Sequence, residues 1–210
     1  MRPGEVEIVL VLSLLLVLFL VNQFVQRAGE SPEESRHLNR LAFTVWVAQG
    51  FGAGSFPFGP GTVGSLVGLL WFAFLVAIGK LWVFAVATFG GLCLSVWVCG
   101  AAERILRQTD PGSVVMDEIA AMPLCFWAWL GIRLWHGNTV ADLSAFFGRE
   151  NWPLTLGIFV LFRFFDILKP WPVHQSQRLP GGWGVTMDDV LAALYVNGVV
   201  LAACLVRGNL

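Results

Sequence analysis

From Val63 to Gly100 the chain reads "VGSLVGLLWFAFLVAIGKLWVFAVATFGGLCLSVWVCG", with Lys80 as its one charge. A run this apolar is at home in hydrocarbon, and there a backbone must satisfy its own polar groups, as helices and closed barrels do. Read as helices, the run gives two spans, Val63–Gly79 and Leu81–Gly100. With Lys80 alone between them, they form a tight helical hairpin.

Similar stretches recur at Val6–Val25, Ile119–Trp135, Pro153–Phe165 and Val190–Val206, about six apolar spans in all. The Pro153–Phe165 stretch is short for a full crossing, since roughly 20 residues are needed. Composition agrees: 57% of residues are hydrophobic and 13% charged, with a mean hydropathy of +0.73, whereas soluble domains are roughly a quarter charged. The expected fold is all-α, a polytopic membrane helical bundle with an extra N-terminal anchor helix.

Val6–Val25 lacks the basic n-region and A-x-A site of a cleaved signal and reads as a permanent anchor. The polar linker "QRAGESPEESRHLNR" follows. The expected organisation is an anchor and linker over residues 1–45 and a membrane catalytic domain over 46–210.

A net charge of -1 leaves no basic footprint for nucleic acid. Cys93, Cys99, Cys125 and Cys204 all lie in apolar stretches with no C-x-x-C pair, so they read as buried thiols. His37, His136 and His174 are isolated. If the linker is cytoplasmic, a modest majority of the 13 Lys and Arg residues falls on that side, the expected sign of the bias. The same count brings "GSFPFGPGTVGS", "TDPGSVVMDE", "RFFDILKPWP" and "GGWGVTMDD" to one face, which points to a single site at the cytoplasmic interface.

Asp117, Glu118, Asp166, Asp188 and Asp189 lie against otherwise apolar stretches. Carboxylates there are costly alone and repel one another when grouped, unless a cation sits between them. An all-oxygen set suits Mg²⁺. Each acid by itself also suits the first turn of a helix; three acidic segments on one face favour a shared metal site. Arg163, Asp166 and Lys169 follow one another at i,i+3 spacing, and Pro170 ends their helix near Leu168. That trio reads equally as an interfacial ion-pair network or as two phosphate-binding cations with a metal ligand. Gly59, Gly61 and Gly64 allow close backbone approach, and Thr62 or Ser65 is expected to cap the following helix, whose N–H groups could cradle phosphate. No G-K-[ST] is present, so this is no P-loop. Of the adjacent Asp188 and Asp189, one can ligate while the other caps or supports.

Taken in order, "PGTVGS", "DPGSVVMDE", "FRFFDILKPWPV" and "GGWGVTMDDVLAALY" resemble the phosphatidylglycerophosphatase A family, over about Phe51–Tyr195. Ala121 and Ala193 stand where family members are expected to carry Gly, at positions that look like helix packing. The resemblance implies a Mg²⁺-dependent, integral membrane enzyme that converts phosphatidylglycerophosphate to phosphatidylglycerol and inorganic phosphate, working on a phospholipid held in the bilayer. It further implies a bacterial inner (cytoplasmic) membrane with the site facing the cytoplasm. Asp117, Glu118, Asp166, Asp188 and Asp189 would then supply the metal ligands and the general base or nucleophile. Arg163 and Lys169 would hold phosphate oxygens, and Gly61, Thr62 and Ser65 would complete the cradle. Direct attack by water and an aspartyl-phosphate intermediate both fit. An ion-coupled transporter and a phosphatase for another lipid phosphomonoester are the alternatives, although acids at span ends suit a transporter poorly.

Overall fold

The computed structural model describes residues 32–140 and 142–206, and these are all-helical, with no strand among them. The expected anchor at Val6–Val25 lies outside the described residues. The chain divides into two units, residues 1–42 and 43–210. Of the first, the described part begins helix α1, Pro32–Ala48, whose opening turn carries Glu33 and Glu34. All that follows belongs to the second unit.

Helix α2, Pro60–Ile78, begins after Gly59 in the left-handed region (φ 62°), with Pro60 in its first turn. It ends at Gly79 (φ 73°), whose N–H returns to Val76 O. Lys80 is extended and α3, Leu81–Leu106, starts at the next residue, so the hairpin turns on Gly79 and Lys80. Neither Thr62 nor Ser65 caps α2: Gly59 holds the cap position without a side-chain bond, and Ser65 Oγ donates to Gly61 O at 2.8 Å.

The expected span Ile119–Trp135 is not one helix. It is broken into α4 (Met116–Ala121), a 3₁₀ segment (Met122–Phe126) and α5 (Trp127–Trp135). Pro123 lacks the N–H that an unbroken helix needs. The break is tolerated because it is buried and because Asn197 reaches it. The Asn197 Oδ1 accepts from Ala128 N at 2.6 Å, and its Nδ2 donates to Leu124 O and Ala193 O at 2.8 Å. Around the 3₁₀ segment the core is aromatic: the ring of Phe72, fully buried, stacks on Phe126 at 3.8 Å and meets Phe146 edge-on at 5.0 Å. Phe146 comes from the single turn α6, Ser144–Phe147.

Helix α7, Trp152–Leu168, stops where Pro170 requires. Lys169 turns left-handed (φ 45°) and gives its N–H to Phe165 O at 2.9 Å. After the short α8, Val173–Ser176, the chain enters α9, Gly182–Val206. Gly182 lies directly on α3, where a Cβ would sit 1.8 Å from Val96 O and 2.7 Å from Gly100 N. Four residues on, Thr186 and Ser95 share a buried hydroxyl–hydroxyl hydrogen bond of 2.9 Å between the same helices. Ala121 and Ala193 are both completely buried, as helix-packing positions should be.

Three described helices, α2, α3 and α9, are long and apolar enough to cross a membrane. Their outward side chains include Leu70, Val86, Trp97 and Leu205, all more than 60% exposed. So much apolar surface on long helices suits contact with lipid, and the chain is read as membrane-associated.

Candidate active site

The four polar stretches that a span count gathers on one face do meet. Asp117 and Glu118 come from the first turn of α4, Arg163 and Asp166 from the end of α7, Lys169 from its left-handed cap, and Asp188 and Asp189 from near the start of α9. Asp110, Asp117, Glu118, Asp166, Lys169, Asp188 and Asp189 line one pocket of about 230 Å³.

Glycines bring α2 into this group. A Cβ on Gly61 would lie 2.4 Å from Glu118 Oε1 and 3.0 Å from Arg163 Nη2, and one on Gly64 would lie 2.7 Å from the Cβ of Val115. Ser65, fully buried one turn on, accepts from Arg163 Nη1 at 3.3 Å. Thr62 is exposed and adjoins Gly59, on the outer side of this first turn.

The five acids separate into two groups. Asp117, Glu118 and Asp189 each present an oxygen within 4.8 Å of the other two. Asp166 and Asp188 instead hold the cations. Arg163 reaches Asp166 at 2.8 Å and Glu118 at 3.7 Å, while Lys169 pairs closely with Asp188 and stands 3.8 Å from Asp166. The i,i+3 series along α7 thus forms real contacts. Gln177, from the turn after α8, donates to Asp188 Oδ2 at 3.1 Å and to Asp110 Oδ2 at 3.4 Å. Neither Gln177 nor Asp110 stands out in the sequence. Gln177 follows a turn whose course no local spacing reveals, and Asp110 lies in a polar stretch whose later acids draw the eye.

Burial decides the electrostatics. It pushes the Asp117 carboxyl well above the ordinary carboxylate range, and the charge of Glu118 adds to the effect. Glu118 is raised by burial too, less so because its hydrogen bond with Asp117 opposes the shift. Lys169 is pulled down by burial, but its charge contact and hydrogen bond with Asp188 outweigh that and hold it above the usual value.

Several polar atoms here are buried with no hydrogen-bond partner: Glu118 Oε2, Asp189 Oδ1 and Arg163 Nε. Two are carboxylate oxygens belonging to the group of three. Buried oxygens of this kind call for a proton or a cation. Asp117, Glu118 and Asp189 therefore fit a hard divalent metal ion, with Arg163 alongside as a fixed cation.

A family model described as Phosphatidylglycerophosphatase A matches residues 46–204. A Phosphatidylglycerophosphatase A from Haemophilus influenzae is 33% identical over 164 residues, covering 74% of this chain and 85% of the relative. One from Escherichia coli K12 is 29% identical over 155 residues, covering 73% and 79%. A Bacteroides thetaiotaomicron protein named "Putative phosphatidylinositol-3-phosphatase" is 34% identical over 155 residues, covering 72% and 87%. No solved structure matches.

Proposed function

Because this chain belongs to the phosphatidylglycerophosphatase A family, we propose that it is a Mg²⁺-dependent lipid phosphatase. It removes the terminal phosphate of phosphatidylglycerophosphate, leaving phosphatidylglycerol and inorganic phosphate, the last step in making that anionic lipid. The observation that carries the reading is the buried group of Asp117, Glu118 and Asp189 set beside Arg163 in one pocket. Its setting supports a lipid substrate: the acids lie at the ends of apolar helices, where a headgroup is reached while its tails stay in hydrocarbon. The site would face the cytoplasm across a bacterial inner membrane.

Asp117, Glu118 and Asp189 would hold the ion. When bound, a divalent cation supplies Lewis-acid stabilisation of the charge that builds on the phosphoryl oxygens. The rest of the work belongs to the chain. Arg163 is held by Asp166 and reaches Ser65 Oγ, so its guanidinium meets the phosphate already oriented and costs little reorganisation in the transition state. Lys169, kept charged by Asp188, offers a second cation at the opposite side of Asp166. Gly61 lets the start of α2 pack directly against Glu118 and Arg163, and its N–H would complete the cradle beside them. Asp166 and Asp188 keep the cations placed, and one of the five acids takes the proton of the attacking water or attacks phosphorus itself.

The relative named for a phosphatidylinositol phosphate favours a second reading, a phosphatase of the same chemistry for another lipid phosphomonoester. Phosphate release by purified protein in detergent separates the two. Phosphatidylglycerophosphate and phosphatidylinositol-3-phosphate would be compared with Mg²⁺ and with EDTA. Mg²⁺-dependent release from the first, faster than from the second, is expected. The reverse order would favour the second reading, and no release from either would sink both.

A further inference from the structure

Gln177 and Asp110 belong to a relay of polar contacts that begins at Arg163. Arg163 bonds Asp166, Lys169 stands between Asp166 and Asp188, and Gln177 ties Asp188 to Asp110. Its two ends differ in character. The Arg163 end is half-buried and cationic, whereas the Asp110 end is exposed and is made of carboxylate and amide.

Asp110 also forms a shared wall. It lines the about 230 Å³ pocket and, with Glu103, Thr109 and Gln177, a neighbouring recess of about 30 Å³. That recess exceeds the roughly 10–15 Å³ that one water needs and is far smaller than the main pocket, so it admits a small polar group such as a hydroxyl. The segment is fixed there: Asp110 is left-handed (φ 48°) and its N–H is tied to Glu103 Oε1 at 2.9 Å. Glu103, Asp110 and Gln177 give the recess its polar lining and Leu179 and Val185 its apolar one; its carboxylates repel a phosphate oxygen and suit a neutral group that donates a hydrogen bond.

We propose that the recess between Asp110 and Gln177 binds a hydroxyl group on the alcohol that leaves when the phosphate bond breaks, so that these two residues select a hydroxylated lipid headgroup. The inference rests on the lipid phosphatase reading. With phosphate between Arg163 and Lys169, the alcohol lies on the Asp110 side of the same pocket. Its hydroxyl donates to the Asp110 carboxylate or the Gln177 carbonyl oxygen. Gln177 is thereby a specificity residue, and through its bond to Asp188 also a positioning one.

The test uses purified full-length protein, Mg²⁺ and two lipids: phosphatidylglycerophosphate and its analogue with propanediol in place of the terminal glycerol, which lacks only the free hydroxyl. Wild type should favour the hydroxylated lipid about tenfold in kcat/KM, the size of one hydrogen bond. In Gln177→Leu and in Asp110→Ala that ratio should fall to about one. Variants that lose rate equally on both lipids while keeping the ratio would show a purely structural role and overturn the inference. So would a wild type that does not discriminate, which needs no variant to fold. Hydrolysis of neither lipid would overturn the phosphatase reading and this inference with it, whereas equal hydrolysis of both overturns the inference alone.

Discussion

Gly61 and Glu118 touch: a Cβ on the glycine would sit 2.4 Å from the carboxylate Oε1, with Arg163 Nη1 and Nη2 at 3.1 and 3.0 Å. A methyl group there must push the acid, the guanidinium or both out of place. Gly61→Ala should therefore lower kcat by on the order of 10²-fold, the usual effect of a displacement near 1 Å. Its thermal stability should fall only slightly, because alanine's preference for the helix offsets part of the crowding. Steady-state kinetics beside a melting curve would check this, and full activity in Gly61→Ala would mean that the first turn of α2 does not support the site.

Asn197 bonds two backbone groups just beyond Pro123, the Leu124 C=O and the Ala128 N–H. Asn197→Leu keeps the size but strands the half-buried Ala128 N–H, while Leu124 C=O keeps only the N–H of Trp127. The expected loss of stability is about 2–3 kcal/mol, with Mg²⁺ activation of the remaining folded protein unchanged. Denaturation in mixed micelles would measure it. A variant as stable as wild type would show that the 3₁₀ segment needs no side-chain partner.

Two acids of the buried group, Asp117 and Glu118, hold their protons above the ordinary range because burial penalises their charge. For acids raised in the folded state, the unfolded chain gives up protons first. Their contribution to stability is therefore present at low pH and is lost as pH rises from about 4 through the raised values. A cation replaces those protons. The melting temperature in EDTA should fall between about pH 5 and pH 8, and the gap between Mg²⁺ and EDTA should widen over that range. A gap independent of pH would count against a metal at these acids.

Much of this arrangement is legible in the sequence, for local reasons. Pro170 restricts the residue before it, so the end of α7 near Leu168 follows from one residue type. Lys80 inside an apolar run marks the hairpin turn in the same way. Three features are not legible because their causes lie far off in the chain. Pro123 breaks the expected span at Ile119–Trp135, and nothing near it foretells that Asn197 makes the break affordable. Thr62 and Ser65 are ordinary capping residues, yet Pro60 and a left-handed Gly59 move the start of α2 ahead of them, which leaves Ser65 to turn back on Gly61. The five acids look equivalent along the chain. What separates Asp188 from Asp189 is about 100° of helix rotation, which gives one to Lys169 and Gln177 and the other to Asp117 and Glu118.

That separation gives the most direct test. The Mg²⁺ concentration for half-maximal phosphate release would be measured for wild type, Asp189→Asn and Asp188→Asn. Asp189→Asn should lose activity by at least about 10²-fold or need far more Mg²⁺, since it removes a ligand from the buried group. Asp188→Asn should leave the Mg²⁺ requirement near that of wild type and instead raise KM, because it releases Lys169. The opposite pattern, with Asp188 setting the Mg²⁺ requirement and Asp189 dispensable, would contradict the metal site drawn here from Asp117, Glu118 and Asp189.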